Sequence, residues 1–183
     1  MALACRNKSS RLYAKPLQNL DIEQGLTVLE YIILWISKME VIDEVVLGIS
    51  EGNDNLVYRE FAEKQNLTYI LGNDEDVLGR LVQCGEKANA TDVFRVTTES
   101  PFTYFEAIKS SWEEHVRRNY EFTCLDKVPD GSGFEITKLE TLKYMDPGSG
   151  EYYKIKQWVD TFMRIPFGKH KNLPISMADG PEK

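Results

Sequence analysis

Glu44-Val45-Val46-Leu47-Gly48-Ile49 is β-branched and almost wholly apolar, which predicts a strand buried on both faces. Outward from it, the pattern alternates. On the carboxyl side, 54–64 has helical spacing with Leu56, Val57, Phe61 and Ala62 inward, 67–71 is strand, and 74–87 is helix, opened by acids that suit a helix N-terminus. Residues 92–96 (DVFRV) are strand, 102–118 a long helix, and 120–125 strand again. On the amino side, 26–39 is helical through Leu26, Leu29, Ile33 and Ile36, and 2–5 is a short apolar strand. Strands alternating with helices of this length predict βαβ units: an α/β fold of three layers, α/β/α, with a mostly parallel sheet.

The rest of the chain sets bounds. At 183 residues the length suits one domain, with 1–145 as the α/β body and 146–183 as a helix (151–163) and irregular tail of the same domain. The net charge of -7 argues against nucleic acid or an anionic membrane as the main partner. Cys5, Cys84 and Cys124 are odd in number and far apart, without a CxxC, so neither a disulfide framework nor a zinc site is expected and a cytoplasmic setting fits. Trp35 and Trp112 fall in helical apolar patterns and read as core; Cys5 reads as a packing residue. His115, among Glu113, Glu114, Arg117 and Arg118, reads as a solvated surface residue.

In such sheets ligands bind beyond the carboxyl ends of the strands, so function is sought in the loops that follow strands. The first is distinctive. Residues 1–20 carry Arg6, Lys8, Arg11 and Lys15 and no acid, a local anion site on an otherwise acidic chain. Guanidinium forks, an ammonium and small residues that let backbone N–H groups approach are what a triphosphate needs. It is not a Walker loop, because GxxxxGK[ST] is absent. A plain solvated basic loop is the competing reading.

The pattern Ala4-x-Arg6-x-x-Ser9-x-Arg11-Leu12-x-x-Lys15-Pro16-Leu17 resembles the opening of the cytidylyltransferases that make CMP-activated acidic sugars. These include the 3-deoxy-manno-octulosonate, acylneuraminate and SpsF-like spore-coat polysaccharide enzymes. Further segments are similar in the same order: Ile42–Val46, Gly72-Asn73-Asp74-Glu75-Asp76-Val77-Leu78-Gly79-Arg80, Arg95-Val96-Thr97-Thr98-Glu99-Ser100-Pro101, and 129–135. The resemblance covers about 2–142. It departs from the family where Tyr13-Ala14 replaces Pro-Gly, Thr98-Glu99 replaces Gly-Asp, and Gly133-Phe134-Glu135 shortens Gly-x-Asp-Val-Glu.

The resemblance implies a Rossmann-like, GT-A-like nucleotidyltransferase fold and CTP-dependent transfer of a nucleotidyl group to a small acidic sugar. It implies Arg11 and Lys15 as catalytic residues, and nucleotide contacts from Ala4, Arg6, Ser9, Gly72, Asp76 and Arg80. Magnesium would be held by Glu99 and Glu135, and relatives of this kind form homodimers. Structural readings compete at several positions. Glu99 can cap a helix starting near Phe102, at least two of Asp74, Glu75 and Asp76 can cap the next helix, and Arg80 can pair with Asp76 on the surface. A sugar-1-phosphate nucleotidyltransferase with another base, and an inactive nucleotide-binding relative, stay open beside the cytidylyltransferase.

Overall fold

A computed structural model describes residues 1–8, 13–125, 127–129 and 131–144, and Met1–Asp146 forms one compact unit. The expected helix at 151–163 and the tail lie outside the described residues, as do Ser9 and Arg11. The elements in order are β1 (Ala2–Cys5), β2 (Asn19–Asp21), β3 (Leu26–Thr27), α1 (Val28–Ile36), β4 (Val46–Ser50), α2 (Leu56–Lys64) and β5 (Thr68–Gly72). There follow α3 (Val77–Lys87), β6 (Asp92–Val96), α4 (Ile108–Arg118), β7 (Phe122–Cys124), β8 (Phe134–Lys138) and α5 (Leu139–Tyr144).

Six strands form one sheet in the order β5-β4-β1-β6-β8-β7, with β2 and β3 a separate two-stranded ribbon. β1 pairs in parallel with β4 and β6, and β4 with β5, while β8 runs antiparallel to both of its neighbours. Because side chains alternate across a strand, each strand feeds two cores. Leu3, Ile49, Phe94 and Phe134 meet Leu29 and Ile32 of α1, Tyr58 of α2 and Ile108 of α4 on one face. Ala2, Val46 and Val93 meet Leu81 of α3 and Leu139 of α5 on the other. The expected three layers and mostly parallel sheet are thus observed. Among the described residues no helix is long and apolar enough to cross a membrane.

Four local readings change. α1 starts at Val28 because Thr27 and Glu30 form a capping box: Glu30 N–H donates to Thr27 Oγ1 (3.2 Å) and Thr27 N–H to Glu30 Oε2 (2.9 Å). α2 turns Tyr58 and Ala62, an i,i+4 pair, inward and leaves Leu56 and Val57 exposed, with Tyr58 held there by its hydrogen bond to the Arg6 carbonyl. The long helix is α4 alone, reached through a 3-10 turn at Phe105–Ala107. β8 was not expected; it pairs with all five residues of β6.

The largest correction is His115, which is 2% exposed. Its Nδ1 lies 2.7 Å from Thr123 Oγ1 and its Nε2 3.1 Å from Asp92 Oδ1, while its ring stacks on Trp112 at 5.8 Å. Ile108, Trp112 and His115 share one helical face, a spacing that outweighs the charged neighbours.

Candidate active site

From β1 the chain lays β4 and β5 to one side, then returns to lay β6, β8 and β7 on the other. The crevice beyond the carboxyl ends of β1 and β6 is therefore the topological switch point, where open α/β sheets bind ligands. Two contacts tie its walls together. Thr98 Oγ1 donates to the Ala4 carbonyl (2.9 Å), and Lys15 Nζ pairs with Glu99 Oε2 at 3.4 Å. The first loop and the loop after β6, distant in sequence, are thus one site.

The base of the first loop is closed and bolted down. Ala14 N–H donates to the Asn7 carbonyl (2.9 Å), and Ala14 takes a left-handed conformation, φ 51°, to enter the 3-10 turn Lys15–Leu17. Asn7 N–H donates to Asn55 Oδ1 (2.8 Å), Asn7 Nδ2 to the Asp54 carbonyl, and Tyr58 OH to the Arg6 carbonyl (3.2 Å). Asn7, Asn55 and Tyr58 are all buried, and burial pushes the Tyr58 phenol up, so it stays a neutral donor. Arg6 and Lys8 are exposed above this base. These three anchoring residues escape a reading of the sequence by charge: Asn7 and Asn55 are small polar residues in the loops after β1 and β4, and Tyr58 sits in the first turn of α2.

A second wall is the turn between β5 and α3. Asp76 Oδ1 accepts from Gly79 N–H (2.8 Å) and caps α3, Asn73 Oδ1 accepts from Glu75 N–H (2.8 Å), and Asp74 Oδ1 accepts from Ser50 Oγ (2.5 Å). Only one of the three acids caps the helix, not two. Arg80 is 1% exposed and makes no surface ion pair with Asp76; its Nη1 donates to the carbonyls of Asn73 (2.6 Å) and Asp74 (3.1 Å). Burial lowers its pKa from the ordinary arginine value. Gly72 is required by this brace, because a Cβ there would sit 2.8 Å from Arg80 Cγ. Arg80 and Gly72 therefore shape the turn from beneath.

The expected metal ligands are separated in role. Glu135, on β8, lies in register with Arg95 on β6, whose Nη1 reaches both carboxylate oxygens (2.9 and 3.0 Å). Glu99 faces Lys15, and it does not cap the following helix, which starts at Ile108 with Ala107 as its N-cap. Among the described residues no group of three or more His, Cys, Asp or Glu can hold a metal ion. Magnesium, however, keeps several waters and is often held by one or two carboxylates together with phosphates. The Glu99 carboxylate, paired with the Lys15 ammonium in this structure, fits a metal carried in on phosphate once the phosphate draws the ammonium away from it.

The chain matches no protein-family model. It is 20% identical over 152 residues to an uncharacterized protein of Methanocaldococcus jannaschii, an alignment covering 83% of this chain. The chain spans only 61% of that relative's length. Among solved structures it is similar to a cytidylyltransferase from Leptospira borgpetersenii serovar Hardjo-bovis, with a TM-score of 0.75 at 19% identity, covering 88% of this chain and 70% of that one. It is also similar to a CMP:2-keto-3-deoxy-manno-octonic acid synthetase complexed with CTP, with a TM-score of 0.63 at 11% identity, covering 88% and 84%. The likeness is one of fold: this chain folds as cytidylyltransferases do.

Proposed function

We propose that this protein is a magnesium-dependent nucleotidyltransferase that uses CTP to activate a small acidic sugar. The observation that carries the reading is the Lys15–Glu99 pair, which joins the basic first loop to the loop after β6 at the switch point; we read Lys15 as the phosphate-binding cation and Glu99 as the metal-binding carboxylate. The fold shared with a cytidylyltransferase and with a synthetase complexed with CTP supports it.

The chemistry follows from those positions. An acceptor hydroxyl attacks the α-phosphorus of CTP; the new O–P bond forms, the α–β anhydride breaks, and pyrophosphate leaves with the electron pair. Arg6 and Lys15, with Arg11 as the sequence resemblance implies, would hold the phosphates and neutralise the charge that builds on pyrophosphate. Glu99 would hold the magnesium ion, which would supply further neutralisation of the phosphates. The bolted loop base matters because charge stabilisation works only if the donors are in place before the reaction. The hydroxyl proton passes to solvent.

Calorimetry with CTP, UTP, GTP and ATP in magnesium tests the base: CTP is expected to bind tightest, and a preference for UTP or GTP favours a nucleotidyltransferase of another base. Lys15→Ala separates the partners of the pair. It is expected to weaken CTP binding about 10- to 100-fold, since a lost charged contact is worth about 1.5–3 kcal/mol. The same variant frees Glu99, so Mn²⁺ alone is expected to bind more tightly by spin resonance. Unchanged CTP binding removes this loop from the phosphate site.

A further inference from the structure

β1 is held unequally on its two sides. Among the described residues it is in register with β4 along its whole length, Ala2 to Cys5, but with β6 only at Ala2 and Arg95. β6 ends one residue later, at Val96, and the chain leaves in a tight turn over 97–100 that Ser100 N–H closes on the Thr97 carbonyl (3.3 Å). Were the ladder to continue, Ala4 would stand opposite Thr97 and its carbonyl would accept from the Thr98 N–H. The Thr98 side chain makes that bond instead. Its Oγ1 donates to the Ala4 carbonyl at 2.9 Å, and Thr98 is 4% exposed. A hydroxyl thus replaces the rung at the point where the strand pairing stops.

The turn is secured differently on its two sides. Away from the first loop, Thr103 Oγ1 donates to the Ser100 carbonyl (3.3 Å), and Ser100 packs on Gly131, where a Cβ would come to 3.2 Å from its Oγ. Toward the first loop, two contacts reach across: Thr98 to Ala4 and Lys15 to Glu99. The second is an exposed ion pair, and a phosphate would draw its ammonium away from the carboxylate. Among the described residues, the Thr98 bond is then what still ties β1 to the turn that carries Glu99.

This bond belongs to the departure from the enzymes the sequence resembles, where Gly-Asp stands in place of Thr98-Glu99. Glycine offers no side chain for it. Neither Thr98 nor Glu99 has a positive φ, so the turn in this chain does not require glycine. Glutamate has one more rotatable bond than aspartate and so more rotamer freedom to lose on ligation. A β-branched, hydrogen-bonded neighbour stiffens the backbone from which that longer side chain extends.

We propose that Thr98 is a positioning residue for metal ligation: its hydroxyl bond to Ala4 holds Glu99 at the crevice when Lys15 turns to phosphate. The proposal rests on the nucleotidyltransferase reading for the metal, and on the Thr98–Ala4 bond for the role.

Thr98→Val keeps the branched shape and removes the donor, Thr98→Gly removes the donor without setting an apolar group against the carbonyl, and Thr98→Ser keeps the donor. The full chain is titrated with metal-free CTP by calorimetry and with Mn–CTP by spin resonance. Thr98→Val and Thr98→Gly are each expected to leave metal-free CTP affinity within about twofold and to weaken Mn–CTP binding about five- to tenfold, the effect of one lost hydrogen bond. Thr98→Ser is expected to bind Mn–CTP as the parent does. In a Glu99→Gln background, with no carboxylate to position, Thr98→Val is expected to add less than about a twofold change. Equal weakening of both forms of CTP overturns the proposal, as does a Thr98→Val effect that is as large without Glu99 as with it. Unchanged Mn–CTP affinity in both donor-free variants overturns it too; the nucleotidyltransferase reading then stands if Glu99→Gln still weakens Mn–CTP binding and loses its metal site if it does not. If the parent binds neither form of CTP, that reading fails and the proposal with it.

Discussion

The two edges of the central sheet each hold a pair of a carboxylate and a basic nitrogen, and the pairs differ in every respect that matters. At the carboxyl edge, Lys15 and Glu99 are 3.4 Å apart with side chains 42% and 31% exposed. At the amino edge, Asp92 and His115 are 3.1 Å apart and 15% and 2% exposed, with Thr123 holding the other ring nitrogen. The buried pair is satisfied on all sides and has no capacity left for a ligand. The exposed pair joins the loops that follow the neighbouring parallel strands β1 and β6, and water or phosphate can replace either partner at little cost. Proximity of acid and base is common to both; only the unsaturated, solvent-facing pair is open to a ligand.

That contrast can be broken or sharpened. The largest effect is expected from Glu99→Gln: an amide is a poor magnesium ligand beside phosphates, so metal-dependent pyrophosphate release is expected to fall roughly 100-fold or more. Its melting temperature is expected to stay within a few degrees, because an exposed ion pair contributes about 0–1 kcal/mol. Glu99→Asp restores the residue found in the enzymes the sequence resembles and is expected to keep activity. If it is inactive, the loop is built around the longer side chain. Normal turnover in Glu99→Gln would place both pairs in the structural class.

At the other edge the signs reverse. His115→Ala is expected to cost about 2–3 kcal/mol of stability, as it strands Asp92 and Thr123 and opens a void beside Trp112. Urea unfolding measures that loss, and CTP affinity is expected to stay within twofold. A large loss of affinity with unchanged stability would show that the amino edge communicates with the site. The smallest effect belongs to Ala14, whose left-handed conformation is uncomfortable for a residue with a Cβ. Ala14→Gly is expected to raise stability by up to about 1 kcal/mol, read by thermal melting, with a modest rise in the CTP KM as the loop loosens.

What the sequence disclosed follows its physics. β4, β5 and β6 were legible because buried parallel strands are apolar runs bounded by polar turns, and EVVLGI is as clear as such a run can be. β8 was not, since Phe134-Glu135-Ile136-Thr137-Lys138 is a short alternation that ends directly in α5 without a turn. Charge marked Arg6 and Lys15 as residues of one basic loop, but the surface ion pair that i,i+4 spacing offered Arg80 with Asp76 is absent, because its Nη1 donates to the carbonyls of Asn73 and Asp74 instead. Buried arginine and buried histidine are exceptions to the rule that such residues face water, and local composition cannot reveal which carbonyl or carboxylate lies opposite. The Lys15–Glu99 contact spans 84 positions and is a product of the fold.

The reversed direction of β8 has an evolutionary corollary. A parallel strand beside β6 would enter from the far edge of the sheet. β8 instead starts opposite Val96, at the end of β6, and β7 runs antiparallel to it, so the connection from Leu125 to Gly133 leaves and re-enters the same edge, like the bend of a hairpin. Its two ends are held close together whatever its length, and doubling a flexible loop adds only about 0.6 kcal/mol of closure entropy. Such a segment behaves as an exchangeable cassette. It can be lengthened, shortened or recomposed while the sheet, the first loop and Glu99 stay fixed, so that one scaffold can be refitted without being refolded.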